Sequence, residues 1–200
     1  MTTLKIKLTM IEGLLGTLPG ESELLAEHIA KRTGHAPTPE ELAALDVGEE
    51  VEKGTTVFPK DDAGEPFVYD YQIKGFFKDA CGALRRVEGT RSAGLKAFKK
   101  EIDGLIFPQP RCIPLQLPEG GALGICERPL RAQTPQGERV AISRSEEAPP
   151  GTVLEFTVKV LKDGLLDDVQ EWFEYGELRG LGQWRNSGKG RFTAEVEVVK

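Results

Sequence analysis

The sequence predicts an α+β domain, and three observations lead there. Thr3 to Ile11 and Thr152 to Leu161 alternate apolar and polar side chains with the period of two that marks half-buried strands. Lys74 to Val87 and the stretch from Leu165 to Gly176 instead place apolar residues three and four apart, the spacing of an amphipathic helix. The segments follow one another as strand, helix, strands, helix, strand along 200 residues without an internal repeat. A β-α-β-β-α-β unit around one core is the commonest form of that order.

The first strand has Leu4, Ile6, Leu8 and Met10 on one face and Lys5, Lys7 and Thr9 on the other, and runs into Gly13-Leu14-Leu15-Gly16. Residues 19–65 then read as an acidic helical insertion in a single domain spanning 1–200. Within it, Leu25, Ile29 and Arg32 share a helical spacing that Gly34 stops. A second short helix starts where Thr38, Pro39 and Glu41 form a capping box, with Leu42 and Leu45 as its face. Gly48 to Gly54 reads as a loop, Thr55 to Phe58 as a short strand, and Lys60 to Glu65 as a turn into a strand over Phe67 to Tyr71.

The next helix carries Phe77, Ala80, Cys81 and Leu84 on its stripe, with Lys78, Arg85 and Arg86 outside it. Ser92 to Ile102 has no clear period. Residues 108–137, rich in Pro and Gly but with strand-like pieces at Arg111–Leu115 and Ile125–Arg131, predict a protruding hairpin. The last helix, with Leu165, Leu166, Val169, Trp172, Phe173 and Gly176 on one side, leads into a glycine-rich loop, and Phe192 to Val198 closes the chain as a strand.

An apolar content of 39% is ordinary for a globular protein, and no window approaches the length of apolar chain a membrane span needs. The N-terminus alternates instead of placing a charged segment before an apolar block, so a soluble, cytoplasmic protein with no membrane partner is expected. Three widely spaced cysteines without a CxxC pair argue against a disulfide framework and a zinc site. No metal-ligand cluster, nucleophile elbow or P-loop occurs, so neither metal nor cofactor is expected.

The net charge of −6 argues against a polyanionic partner until its distribution is considered. From Lys74 to Lys100 there are eight basic residues and two acidic ones, and from Arg179 to Phe192 four basic and none acidic. The acid lies in residues 12–70 and 163–177. A basic binding face on an acidic body has this asymmetry, although a solvated lysine-rich helix face explains the first cluster equally well.

The loop Gly180-Leu181-Gly182-Gln183-Trp184-Arg185-Asn186-Ser187-Gly188-Lys189-Gly190 has Gly-x-Gly, five residues, then Gly-x-Gly. Glycines there permit positive φ and close backbone approach, so that N–H groups can face phosphate oxygens while Arg185, Lys189 and Arg191 supply charge. A plain helix-to-strand connection is the alternative. The loop resembles the C-terminal glycine-rich loop of the RAMP superfamily of CRISPR-associated RNA-binding proteins. Tyr71-Gln72-Ile73-Lys74-Gly75-Phe76-Phe77 resembles the strand-to-helix segment of type III backbone subunits of that superfamily, without their Pro-Gly-Ser-Ser lead-in. Pro149-Pro150-Gly151-Thr152 and the strand after it resemble another of their segments.

The resemblance implies a ferredoxin-like, RRM-like domain and a non-catalytic role in binding single-stranded RNA or DNA, with self-association of the backbone type. A stand-alone phage or prophage member would fit its size. The implied contacts are Lys74, Lys78 and Arg85 at a basic helix start, and Gly180, Gly182, Trp184, Arg185, Gly188, Lys189, Gly190 and Arg191 in the loop. Tyr69, Tyr71, Phe76 and Trp184 are candidates to stack on bases, with core packing the favoured role for Phe76. Two alternatives remain: an interaction protein that inhibits a defence complex or binds a nucleotide signal, and a metal-independent ribonuclease. The second would use His28 or His35, neither of which has a motif around it; Asp46 is a conceivable stand-in for the Asp of target-cutting subunits.

Overall fold

The computed structural model describes residues 1–19, 55–134 and 137–199. The helices expected between Ser22 and Leu45, and with them His28, His35 and Asp46, lie outside the described residues. The elements form a mixed α+β architecture built on antiparallel sheets.

The central sheet has four strands. Strand β1 (Thr2–Met10) pairs antiparallel with β10 (Val153–Val160) on one side and with β11 (Phe192–Val199) on the other, and β6 (Ile106–Gln109) adds to the far edge of β10. The order across the sheet is β11-β1-β10-β6. Register follows the hydrophobic alternation: Ile6 lies opposite Phe156 and Val196, and Leu8 opposite Leu154 and Ala194. A slip of one residue would turn every one of these side chains to water.

The apolar face is covered by helix α1 (Asp70–Leu84) and helix α3 (Leu166–Arg179), while the short helix α2 (Phe98–Leu105) packs Phe98 and Ile102 beside α1. Ile73, Phe76, Phe77, Ala80 and Cys81 of α1 meet Val169, Trp172 and Phe173 of α3 in one buried cluster with the strands. Rings provide much of the contact, with Phe77 5.5 Å from Trp172 and 5.1 Å from Phe173, and Phe76 5.2 Å from Phe192. Phe76 is only 2% exposed and so belongs to the core. Burial also pushes the Cys81 thiol up to about 11, leaving it protonated at neutral pH.

Helix α1 begins at Asp70, so Lys74 lies in its second turn and not at its start. The expected strand over 67–71 is correspondingly shorter, β5 (Phe67–Tyr69), which pairs with β7 (Cys112–Pro114). At the helix start Gln72 accepts the Tyr69 N–H at 2.9 Å and donates to Thr17 at 2.8 Å, which satisfies one of the donors a helix N-terminus leaves open.

A second sheet is assembled from distant pieces. The long strand β9 (Gly137–Ala148) pairs with β8 (Gly124–Thr134) along eleven positions, forming a two-stranded ribbon. Its other edge takes β2 (Leu14–Leu15) antiparallel and β4 (Thr55–Val57) parallel, and β3 (Leu18–Pro19) completes the sheet on β4. The ribbon therefore extends to Ala148, beyond the 108–137 segment of the sequence reading, and β6 at the start of that segment belongs to the central sheet. Among the described residues, no helix is long and apolar enough to cross a membrane.

Candidate nucleic-acid interface

The loop between α3 and β11 leaves the helix at Gly180 and folds back on itself. Gly180, Gly182, Gly188 and Gly190 have φ of 79°, 80°, 84° and 71°, the left-handed region expected of all four. The cause is largely internal. The Leu181 N–H donates to the Gly190 carbonyl at 2.8 Å, and the Gly190 N–H to the Gly13 carbonyl at 2.9 Å. A Cβ on Gly190 would stand 2.0 Å from the Leu181 oxygen, and one on Gly180 2.6 Å from the Lys189 oxygen, so these two glycines let the loop's arms touch each other. Gly182 abuts Leu14, whereas Gly188 faces open space.

The loop's cations are also engaged. Arg179, at the end of α3, and Arg185 both reach Oδ2 of Asp79 on α1, at 2.8 and 2.9 Å, and Arg179 donates to Asn186 as well. Lys189 meets Glu147 of the ribbon at 2.6 Å, and that hydrogen bond holds its ammonium pKa above the ordinary value. Arg191 lies 3.6 Å from Glu12. On α1, Lys78 pairs with Asp103 at 2.6 Å and Lys74 lies 4.3 Å from the centre of the Phe107 ring, while Arg85, just past the end of the helix, lies 5.2 Å from that of Phe98.

The candidate residues thus divide by location. Lys78, Gly182, Trp184 and Arg185 line two open hollows that meet at Arg179: one of about 470 Å³ between α1, α2 and α3, and one of about 300 Å³ against the loop. The first adds Arg86, Lys99 and Tyr175, and the second Gln183 and Asn186, none of them assigned to the interface from the sequence. Arg86, in the turn after α1, and Lys99, on α2, both lie in the basic run, and only packing brings them to one hollow. Lys74 and Arg85 are not among the residues lining either hollow, and Lys189 and Arg191 turn toward the ribbon and the end of β1.

Aromatic residues fall into two places. Tyr69 and Tyr71 stack on one another with ring centres 5.1 Å apart and planes 16° from parallel, and Arg111 lies over both. Trp184, 36% exposed, lies on the Arg128 guanidinium, 4.6 Å from its ring centre. The solvent side of the central sheet is different, because β1, β10 and β11 place charges of both signs there, such as Lys7 and Glu195 at 2.9 Å, and no aromatic residue. Bases have no ring to stack on along those three strands.

The sequence matches no protein-family profile and no curated protein. Among solved structures, the chain is similar to a chain of the Type III-B Cmr-beta assembly bound to cognate target RNA, seen by cryo-electron microscopy, with a TM-score of 0.57 and 13% identity. That likeness covers 100% of this chain and 61% of the other, so the protein spans about three fifths of its neighbour's length. A chain of a Type IV-B CRISPR complex matches with a TM-score of 0.49 and 12% identity, over 98% of this chain and 90% of that one. The chain has a fold found in a subunit of a type III CRISPR assembly.

Proposed function

We propose that this protein is a non-catalytic binder of single-stranded nucleic acid, built on a ferredoxin-like domain of the RAMP type. The observation that carries the reading is the excess of cations along the two hollows, Lys78, Arg86, Lys99, Arg179 and Arg185 beside Trp184, against the single carboxylate of Asp79. Clustered cations along a groove with an aromatic at one end suit a flexible strand, whose phosphates release counterions and whose bases stack. The sheet order β11-β1-β10-β6, with α1 and α3 as its crossovers, supports the ferredoxin-like part of the reading. The neighbour in the Cmr-beta assembly is part of a particle bound to target RNA, which favours RNA over DNA. The ribbon of β8 and β9 stands beside the loop through the Lys189–Glu147 contact and would form a second wall for the strand.

Fluorescence anisotropy with labelled oligouridine and oligothymidine across a salt series tests this. Tight binding at low salt is expected, with log affinity falling linearly against log salt. Replacing Lys78, Lys99 and Arg185 by Ala should lower that slope by about 0.7 for each phosphate contact removed. An absence of binding at low salt, with no copurifying nucleic acid, would overturn the reading and favour a protein-binding role instead.

A further inference from the structure

Arg128, on β8, differs from the other arginines around the loop. It is 5% exposed, and among the described residues no carboxylate lies within ion-pair distance of it. Its Nη2 donates to Gln183 Oε1 at 3.0 Å and to the Ser145 hydroxyl at 3.4 Å, but Nε and Nη1 are buried with no acceptor. Arg144 and Arg191 each also leave Nε without an acceptor, yet both have a carboxylate partner, Glu127 and Glu12. A guanidinium cannot shed its proton, so a buried one without a counter-charge is a standing cost to the fold. Its compensation in the free protein is the face of Trp184.

Trp184 is itself unusual. With φ of 55° it is the single non-glycine residue in the left-handed region among the described residues, and backbone strain of this kind persists where the surroundings or a function demand it. The ring stands between Arg128 and the hollow of about 300 Å³ that Arg179, Arg185 and Asn186 also line. A buried cation without a counter-ion lies behind a partly exposed ring, and two further guanidiniums, which share the Asp79 carboxylate, lie on the outer side.

We propose that Arg128 is the receptor for one phosphodiester group of the bound strand, and that Trp184 is its gate. In the free protein the ring covers the guanidinium; in the complex it moves aside, the phosphate accepts from one of the vacant donors, Nε or Nη1, and the ring stacks on a neighbouring base. The assignment rests on the nucleic-acid reading above. The guanidinium keeps its charge and holds its vacant donors in a fixed plane, whereas a lysine would present one flexible ammonium there.

The sequence has two tryptophans, and Trp172, fully buried, donates to Ser92 at 2.9 Å, so any change in acrylamide quenching on ligand addition reports Trp184. The test compares wild type with Arg128→Met, which keeps much of the stem volume and removes the charge, titrating unlabelled oligouridine. The expected result is a quenching change in wild type that the variant lacks, an affinity lower by about tenfold or more, and a melting temperature no lower than that of wild type. Unchanged affinity, or a melting temperature several degrees lower with affinity intact, would make Arg128 structural and overturn the proposal while leaving nucleic-acid binding in place. If wild type binds no oligonucleotide, the broader reading fails, and inorganic pyrophosphate becomes the probe. A Trp184 response that Arg128→Met abolishes then keeps the anion receptor, and no response removes it. Should the Met variant not fold, Arg128→Lys keeps the charge but lacks the Nε and Nη1 donors at their fixed positions, and the same loss of affinity and quenching change is expected.

Discussion

Asp79 lies among the cations of the hollows, accepting from both Arg179 and Arg185. Partly exposed pairs of this kind contribute less than about 1 kcal/mol each, so Asp79→Asn should leave the fold intact while freeing two guanidiniums. Nucleic-acid affinity is expected to rise several-fold, with the salt slope steeper by about 0.7 for each guanidinium recruited to a phosphate; anisotropy titrations would show it, and weaker binding would mean that Asp79 positions the arginines productively. The glycines separate similarly. Gly188→Ala meets open space and only the left-handed φ of 84°, a cost of about 1–2 kcal/mol. Gly190→Ala adds a Cβ 2.0 Å from the Leu181 oxygen and should cost at least about 3 kcal/mol. Urea denaturation of the two variants would rank them, and equal costs would show that the loop relaxes around position 190.

At the scale of elements, the contact between α3 and β11 depends on a glycine inside the helix. An alanine at such a position ordinarily stabilises a helix by about 1 kcal/mol. At Gly176 the added Cβ would lie 2.2 Å from the Phe192 ring, which is itself fixed against Phe76. Gly176→Ala is therefore expected to destabilise by about 1–3 kcal/mol, since overpacking a fixed ring outweighs helix propensity. For a chain of this size each kcal/mol corresponds to a fall of about 2–4 °C in melting temperature. A raised melting temperature would show that Phe192 has room to withdraw.

At the scale of the whole molecule, the net charge of −6 sets up long-range repulsion that disfavours nonspecific contact with a polyanion away from the cation-lined hollows. Backbone-type assembly, which the sequence resemblance implies, would arrange several copies along one strand. Sedimentation velocity is expected to show one species without nucleic acid and, on a long oligouridine, complexes growing in steps of one protomer. A single copy per strand at every length would exclude assembly of that kind.

The α+β class, the strands β1, β10 and β11, the helices α1 and α3 and the left-handed glycines of the loop were all legible in the sequence. Each is written in a local pattern: side-chain alternation or helical spacing records which residues meet the core, and Gly-x-Gly records a backbone that other residues disfavour. Strand β9 left no such pattern, because Glu138 to Ala148 is mostly polar and is held as a strand by pairing with β8 on one edge and with β2 and β4 on the other. The state of the binding candidates was equally out of reach. Arg185 and Asp79 are 106 residues apart, Lys189 and Glu147 are 42, and Arg128 reaches Gln183 across 55. Sequence by itself determined which segments turn an apolar face inward. Only the tertiary structure decided which charges neutralise one another and that, among the described residues, the buried Arg128 guanidinium is left without a counter-ion, because pairing depends on distances through space that chain separation does not encode.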